Sequence, residues 1–312
     1  MRWVNVLMVG WLVGVGAAAE RAPLQSLVVA RTLLRQAEIA FRQGNATNAL
    51  GLATRSIAAE PALADAWMFR GRIRAGIGWL PEAAGDFTRV IEIEPRNVDA
   101  FLQRGLIRMR QDRVVLAIED FDRVIKLAPE REPSLWPRGL ALCLDGRWGD
   151  ARKQFESCGR VSTNDVELAA WHFLAVAQID GVEAAQGALF SVTNDFRAPM
   201  AEIHGLLAGR NGQLLVAAAA EAGQVKPIER DLRRFYARLY TGLWLAARKE
   251  NARAIEALAL ASEGAERFGL IGDVARLYLE RLRAGPAIPV APIAPAERAP
   301  VTPPAPAVAP NP

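Results

Sequence analysis

At 312 residues, 51% of them hydrophobic, the chain carries enough apolar material for an extended buried core. Its 38 Lys and Arg against 34 Asp and Glu leave a formal charge of only +4, and no long block of one sign occurs, which argues against a nucleic-acid partner.

At the N-terminus, Arg2 precedes an apolar run from Trp3 to Ala19 that is broken only by Asn5 and ends in Ala17-Ala18-Ala19. Charge, apolar run and small residues in that order predict a secretion signal over 1–19, cleaved before Glu20. An uncleaved membrane anchor is the alternative, although roughly 17 apolar residues is at the short end of a bilayer span. Only in that case is membrane contact expected. No Cys follows the run, so a lipid attachment there is not expected. The expected compartment is the periplasm.

Between about Ala30 and Asp165 the same residue types return every 34 positions. Pro61, Pro95 and Pro129 form one column, and Gly71, Gly105 and Gly139 a second. Ala49, Ala83, Ala117 and Ala151 form a third, and Phe87, Phe121 and Phe155 a fourth. The Gly column lets two antiparallel helices approach closely, with the Ala twelve residues later as the matching small surface. The Phe lies one turn beyond that Ala on the same face, where its burial contributes roughly 1.5–3 kcal/mol per copy. Gly44, Gly78, Asp112 and Gly146 mark where the first helix stops, and the Pro column ends the second.

These columns resemble the tetratricopeptide repeat. The resemblance implies an all-α, right-handed α-solenoid of stacked antiparallel helix pairs. Clear copies are expected at 30–63, 64–97, 98–131 and 132–165, all within an array over 20–165. The first is the most divergent, with Ala37 in the Gly column and Ala53 in the Phe column. Over 166–284 the phase blurs into a divergent helical region. Trp171 to Ile179 and Ala184 to Val192 read as one pair, Met200–Ala208 and Leu214–Ala222 as a shorter one, and a clearer copy returns at about 235–268. Asp273 to Leu282 reads as a capping helix with Asp273 as N-cap. Residues 285–312 form a Pro/Ala-rich tail in which Pro286, Pro289, Pro292 and Pro295 recur at the turn of a polyproline II helix. No packed core is expected there.

Little catalytic chemistry is visible. His172 and His204 lie in separate helices without metal-ligand spacing, and no phosphate loop, nucleophile elbow or zinc cluster occurs. Glu119 and Asp120 precede Arg123 at the spacing of a solvated helix ion pair. Cys143 and Cys158 stand on the two helices of one copy; a disulfide is open to them, but Cys158 occupies the buried slot of Val90 and Val124. No enzyme activity, metal or cofactor is expected.

The family resemblance implies that the first helix of each copy lines a concave groove. Its inner positions would be Arg31, Leu34, Glu38, Phe41 and Arg42, then Asp65, Met68, Arg72, Ala75 and Gly76. Asp99, Leu102, Leu106, Met109 and Arg110 follow, then Pro133, Trp136, Leu140, Cys143 and Leu144. An apolar lining with arginines suits an apolar or amphipathic protein segment bearing an acidic group. The expected role is therefore an interaction scaffold or adaptor of the cell envelope. Two alternatives remain: a self-associating assembly unit, and a groove filled by the chain's own helices, 200–222 or 270–283.

Overall fold

The computed structural model describes residues 7–285, with side chains from Gln25 onward. The Pro/Ala-rich stretch from Pro286 lies outside the described residues. So does the expected signal, apart from the backbone of 7–19 at the start of the first helix.

Four helix pairs follow one another: α1 (Leu7–Arg42) with α2 (Ala46–Ala59), α3 (Ala64–Gly76) with α4 (Leu80–Ile93), α5 (Val98–Arg110) with α6 (Val114–Leu127), and α7 (Trp136–Leu144) with α8 (Trp148–Gly159). A second series completes the stack: α9 (Val166–Asp180), α10 (Val182–Gly187), α11 (Met200–Leu207), α12 (Gln213–Glu221), α13 (Pro227–Ala247), α14 (Asn251–Ser262) and α15 (Gly269–Ala284). Short 3-10 turns precede α7 and α15, and no strand occurs among the described residues. The architecture is an all-α solenoid.

The periodic residues act where the spacing places them. Gly44, Gly78 and Gly146 turn the chain with φ of 79, 84 and 74°, and Asp112 takes the same left-handed conformation at 61°. Pro61, Pro95 and Pro129 each follow a C-terminal capping residue directly. A Cβ placed on Gly71, Gly105 or Gly139 would come 2.8, 2.7 or 2.4 Å from a ring carbon of Phe87, Phe121 or Phe155. Gly242 repeats this against Leu258 at 2.6 Å. In the first copy Ala37 and Ala53 replace Gly and Phe and are both buried, so two small side chains take the place of a glycine and a large ring.

A second repeated device joins neighbouring copies. Arg70 Nε and Nη2 donate to Asp86 at 3.0 and 2.7 Å, its Nη1 reaches Thr54 Oγ1 at 3.3 Å, and Arg74 adds a bond to Asp86 at 2.8 Å. One period later Arg104, Asp120, Thr88 and Arg108 form the same cluster. Asp120 is therefore buried and held by two guanidinium groups rather than solvated. Arg123 lies over the Phe101 ring instead of pairing with Glu119.

The divergent region departs from expectation in three places. The helix expected over 184–192 ends at Gly187, and the chain then runs without helix to Pro199. The later copy begins at Pro227, eight positions before the expected 235, because Pro227 supplies a ready helix start. Asp273 lies inside α15, which starts at Gly269, so it caps nothing. Cys143 and Cys158 are both buried and unpaired. The non-helical stretch is strapped down by Phe190, which stacks on His172 at 4.2 Å between centroids, and by Arg197, which bonds Asp195 and Glu167.

Two consequences are measurable. Gly105→Ala should destabilise the fold by about 1–3 kcal/mol through overpacking against Phe121, whereas Gly85→Ala, in open space on α4, should stabilise by about 0.5–1 kcal/mol. Urea unfolding compares them, and a neutral Gly105→Ala would refute the close-approach account. His172 has neither ring nitrogen hydrogen-bonded, and burial lowers its pKa from 6.5 to about 4, opposed by Glu156 at 3.8 Å. The unfolded chain thus gains a proton near pH 6.5 that the folded chain refuses until about pH 4. Stability should fall across that window by about 3 kcal/mol from this group, and His172→Phe should remove that share of the acid sensitivity.

Candidate functional site

The inner face is built from four columns, one residue per copy. In the first, Leu34 and Met68 are buried in cores shared with the following copy, Leu102 is half-buried and Trp136 is 43% exposed. In the second, Glu38 is half-buried, Arg72 exposed, Leu106 half-buried and Leu140 buried. Phe41, Ala75, Met109 and Cys143 form the third, and Arg42, Gly76, Arg110 and Leu144 the fourth. Phe41 is 48% exposed, packed edge-on against Phe69 at 6.0 Å, whereas Met109 is fully buried. Arg31 is exposed within α1, well before Arg42, Asp65 is exposed in the first turn of α3, and Asp99 pairs with Arg131 at 2.7 Å.

In the first column burial falls from copy one to copy four, whereas the other three columns close toward copy four. Helix α15 lies against α5 and α7, and its Val274, Leu277 and Tyr278 share one core with Met109, Leu140, Cys143 and Leu144. Asp273 accepts from Arg110 Nε at 2.7 Å, and Arg281 bonds Asp112 at the α5–α6 turn. Tyr278 also meets Trp171 of α9 edge-on at 5.9 Å. Burial pushes the Cys143 thiol and the Tyr278 hydroxyl well above their usual ranges, so both stay neutral. Met109, Leu140 and Leu144, expected as partner contacts, thus face the chain's own helix and are closed to a second protein. Arg110 is engaged by Asp273. The alternative in which the chain's own helix over 270–283 fills the groove holds in copies three and four, with Asp273, Leu277, Tyr278 and Arg281 on that helix. The available signal was the apolar breadth of α15, where Val274, Ala275, Leu277, Tyr278 and Leu279 are all buried, wider than the stripe of a helix covering one end.

Copies one and two are different. Phe41, Arg42, Arg72 and Gly76 are exposed and Ala75 is half-buried. Arg31, Arg42 and Arg72 take part in no ion pair or side-chain hydrogen bond among the described residues. Arg70 and Arg74, on the same helix as Arg72, are committed to Asp86. The open half therefore offers exposed cationic groups, an exposed aromatic ring and the small residues Ala75 and Gly76. Among the described residues no group of three or more His, Cys, Asp or Glu side chains could hold a metal ion, and no helix is long and apolar enough to cross a membrane.

Residues 34–93 and 76–132 match the family model of the tetratricopeptide repeat, so such repeats are present across the first three copies. No curated protein matches the chain. Among solved structures, a tetratricopeptide repeat protein from Parabacteroides merdae is 16% identical, with TM-score 0.51 over 82% of this chain and 100% of that one. YrrB, described as a TPR protein with an unusual peptide-binding site, is 15% identical with TM-score 0.48, covering 61% of this chain and 91% of its own. MamA from Desulfovibrio magneticus is 16% identical with TM-score 0.48, over 51% and 89% of the two chains. The first of these likenesses supports the solenoid fold along most of the chain.

Proposed function

We propose that this chain is a non-catalytic protein-interaction scaffold whose concave face, in copies one and two, receives an apolar or amphipathic segment bearing a carboxylate. The tetratricopeptide repeat generally mediates protein–protein interaction, and it is matched over the copies that remain open. The observation that carries the reading is the pair Arg42 and Arg72, exposed guanidinium groups without an acidic partner among the described residues, together with the exposed ring of Phe41 next to Arg42 in the chain. Guanidinium binds carboxylate in two parallel bonds, and a rigid aromatic ring is a strong anchor for an apolar side chain. Leu102, Leu106 and Trp136 extend the apolar lining toward copy four. The apolar run Trp3–Ala19 supports export, with the periplasm as the compartment and an adaptor role in the cell envelope.

A second reading is self-association of a unit whose groove its own helices fill, and α15 in copies three and four favours it. The mass in solution separates the two, since a monomer with a second protein bound excludes assembly through copies of this chain.

Charge reversal tests the first reading. The double variant Arg42→Glu, Arg72→Glu alters exposed, unpaired groups and should change stability by no more than about 0.5 kcal/mol. Proteins retained by the wild-type chain from envelope extract should be lost. If the folded variant retains the same proteins in the same amounts, the groove is not the binding face.

A further inference from the structure

Helix α15 is a worked instance of what this concave face accepts. It presents Asp273 to Arg110 and, one turn on along the same face, carries Leu277 and Tyr278 in the core that also holds Met109, Cys143 and Leu144 of α5 and α7, against which it packs. The residues that receive it come from two adjacent columns in copies three and four: Met109 and Cys143, Arg110 and Leu144. Two periods earlier the same columns hold Phe41 and Ala75, Arg42 and Gly76. Each set combines one guanidinium group, at least one large apolar side chain and at least one small residue. Among the described residues nothing covers the earlier set: Arg42 has no ion pair there and Phe41 is 48% exposed. The two seats also adjoin, because Arg110 Nη1 reaches the Ala75 carbonyl at 3.5 Å while its Nε holds Asp273. The open seat is therefore a continuation of an interface the chain already makes with its own helix.

Resting on the interaction reading above, we infer that copies one and two bind their partner as an amphipathic α-helix. The partner carboxylate pairs with Arg42, and a large apolar side chain one turn further on packs between Phe41 and Ala75. Gly76 stands where Leu144 stands in the filled seat, so the helix axis approaches the wall more closely there than α15 does. An extended segment would instead spread its side chains at about 3.3 Å per residue and could not bring a carboxylate and an apolar group four positions apart onto one column pair.

The test uses the full chain and a labelled synthetic peptide with the sequence of residues 269–284, read by fluorescence anisotropy. Saturable binding is expected. Arg42→Glu in the protein and Asp273→Asn in the peptide should each weaken it at least about tenfold, and Leu277→Pro in the peptide, which breaks the helix, should abolish it. Binding that is indifferent to Arg42→Glu, or that survives Leu277→Pro, would overturn the helical mode. If proteins are captured through Arg42 and Arg72 yet the peptide does not bind, the helical mode fails and the interaction reading stands. If neither binds, both fail.

Discussion

The close approach of a glycine backbone to a buried ring is the constraint on which the solenoid depends. In three successive copies the first helix comes so near the second that a single added methyl would overlap a phenylalanine ring that is itself almost wholly enclosed. That contact fixes the separation within each pair. Because every pair has the same separation, the inner columns fall into line and a continuous concave face results.

Separation within a pair does not fix the step between pairs. The buried Arg–Asp–Thr clusters do, since Arg70 and Arg104 each bridge an Asp of their own copy and a Thr of the copy before. An isolated buried charge is costly, and removing one partner leaves the other uncompensated. Such clusters tolerate one registration of neighbouring copies and penalise slippage. They fade at the ends: Gln36 and Leu52 replace Arg and Asp in the first copy, and Gln154 replaces Asp in the fourth, where Arg138 turns to Asp122 and Gln154.

The array was legible in the sequence because Gly71, Phe87 and Pro95 each perform a local task that only one or two residue types can perform, and the task recurs at a fixed interval. The same recurrence displays Arg70, Arg104, Asp86 and Asp120, whose partnership is visible once helix faces are compared. The candidate site was legible only in part. Arg42, Arg72 and Phe41 lie where the repeat register places them, but nothing local to Met109 or Leu140 reveals a helix from more than a hundred residues away. Covering by α15 is a tertiary event decided by surface complementarity, and its residues follow an ordinary helical pattern. The end of α10 at Gly187 was equally hidden, since the apolar run continues to Phe190 and only the stacking on His172 draws the chain out of helix.

Asp112 occupies a turn position that glycine fills in the other three copies, and it does so in the same left-handed conformation, which an aspartate adopts at some cost. Its carboxylate is what ties Arg281, 169 positions along the chain, while Arg110 beside it ties Asp273, 163 positions away. A stack of repeats ordinarily behaves as a row in which each unit feels only its neighbours and can loosen from either end. These two tethers close a loop through the middle of the row. Copies three and four and the divergent region are thereby joined across more than 160 positions of chain, whereas copy two is held to copy three by neighbour-to-neighbour devices such as the Arg104–Thr88 bond.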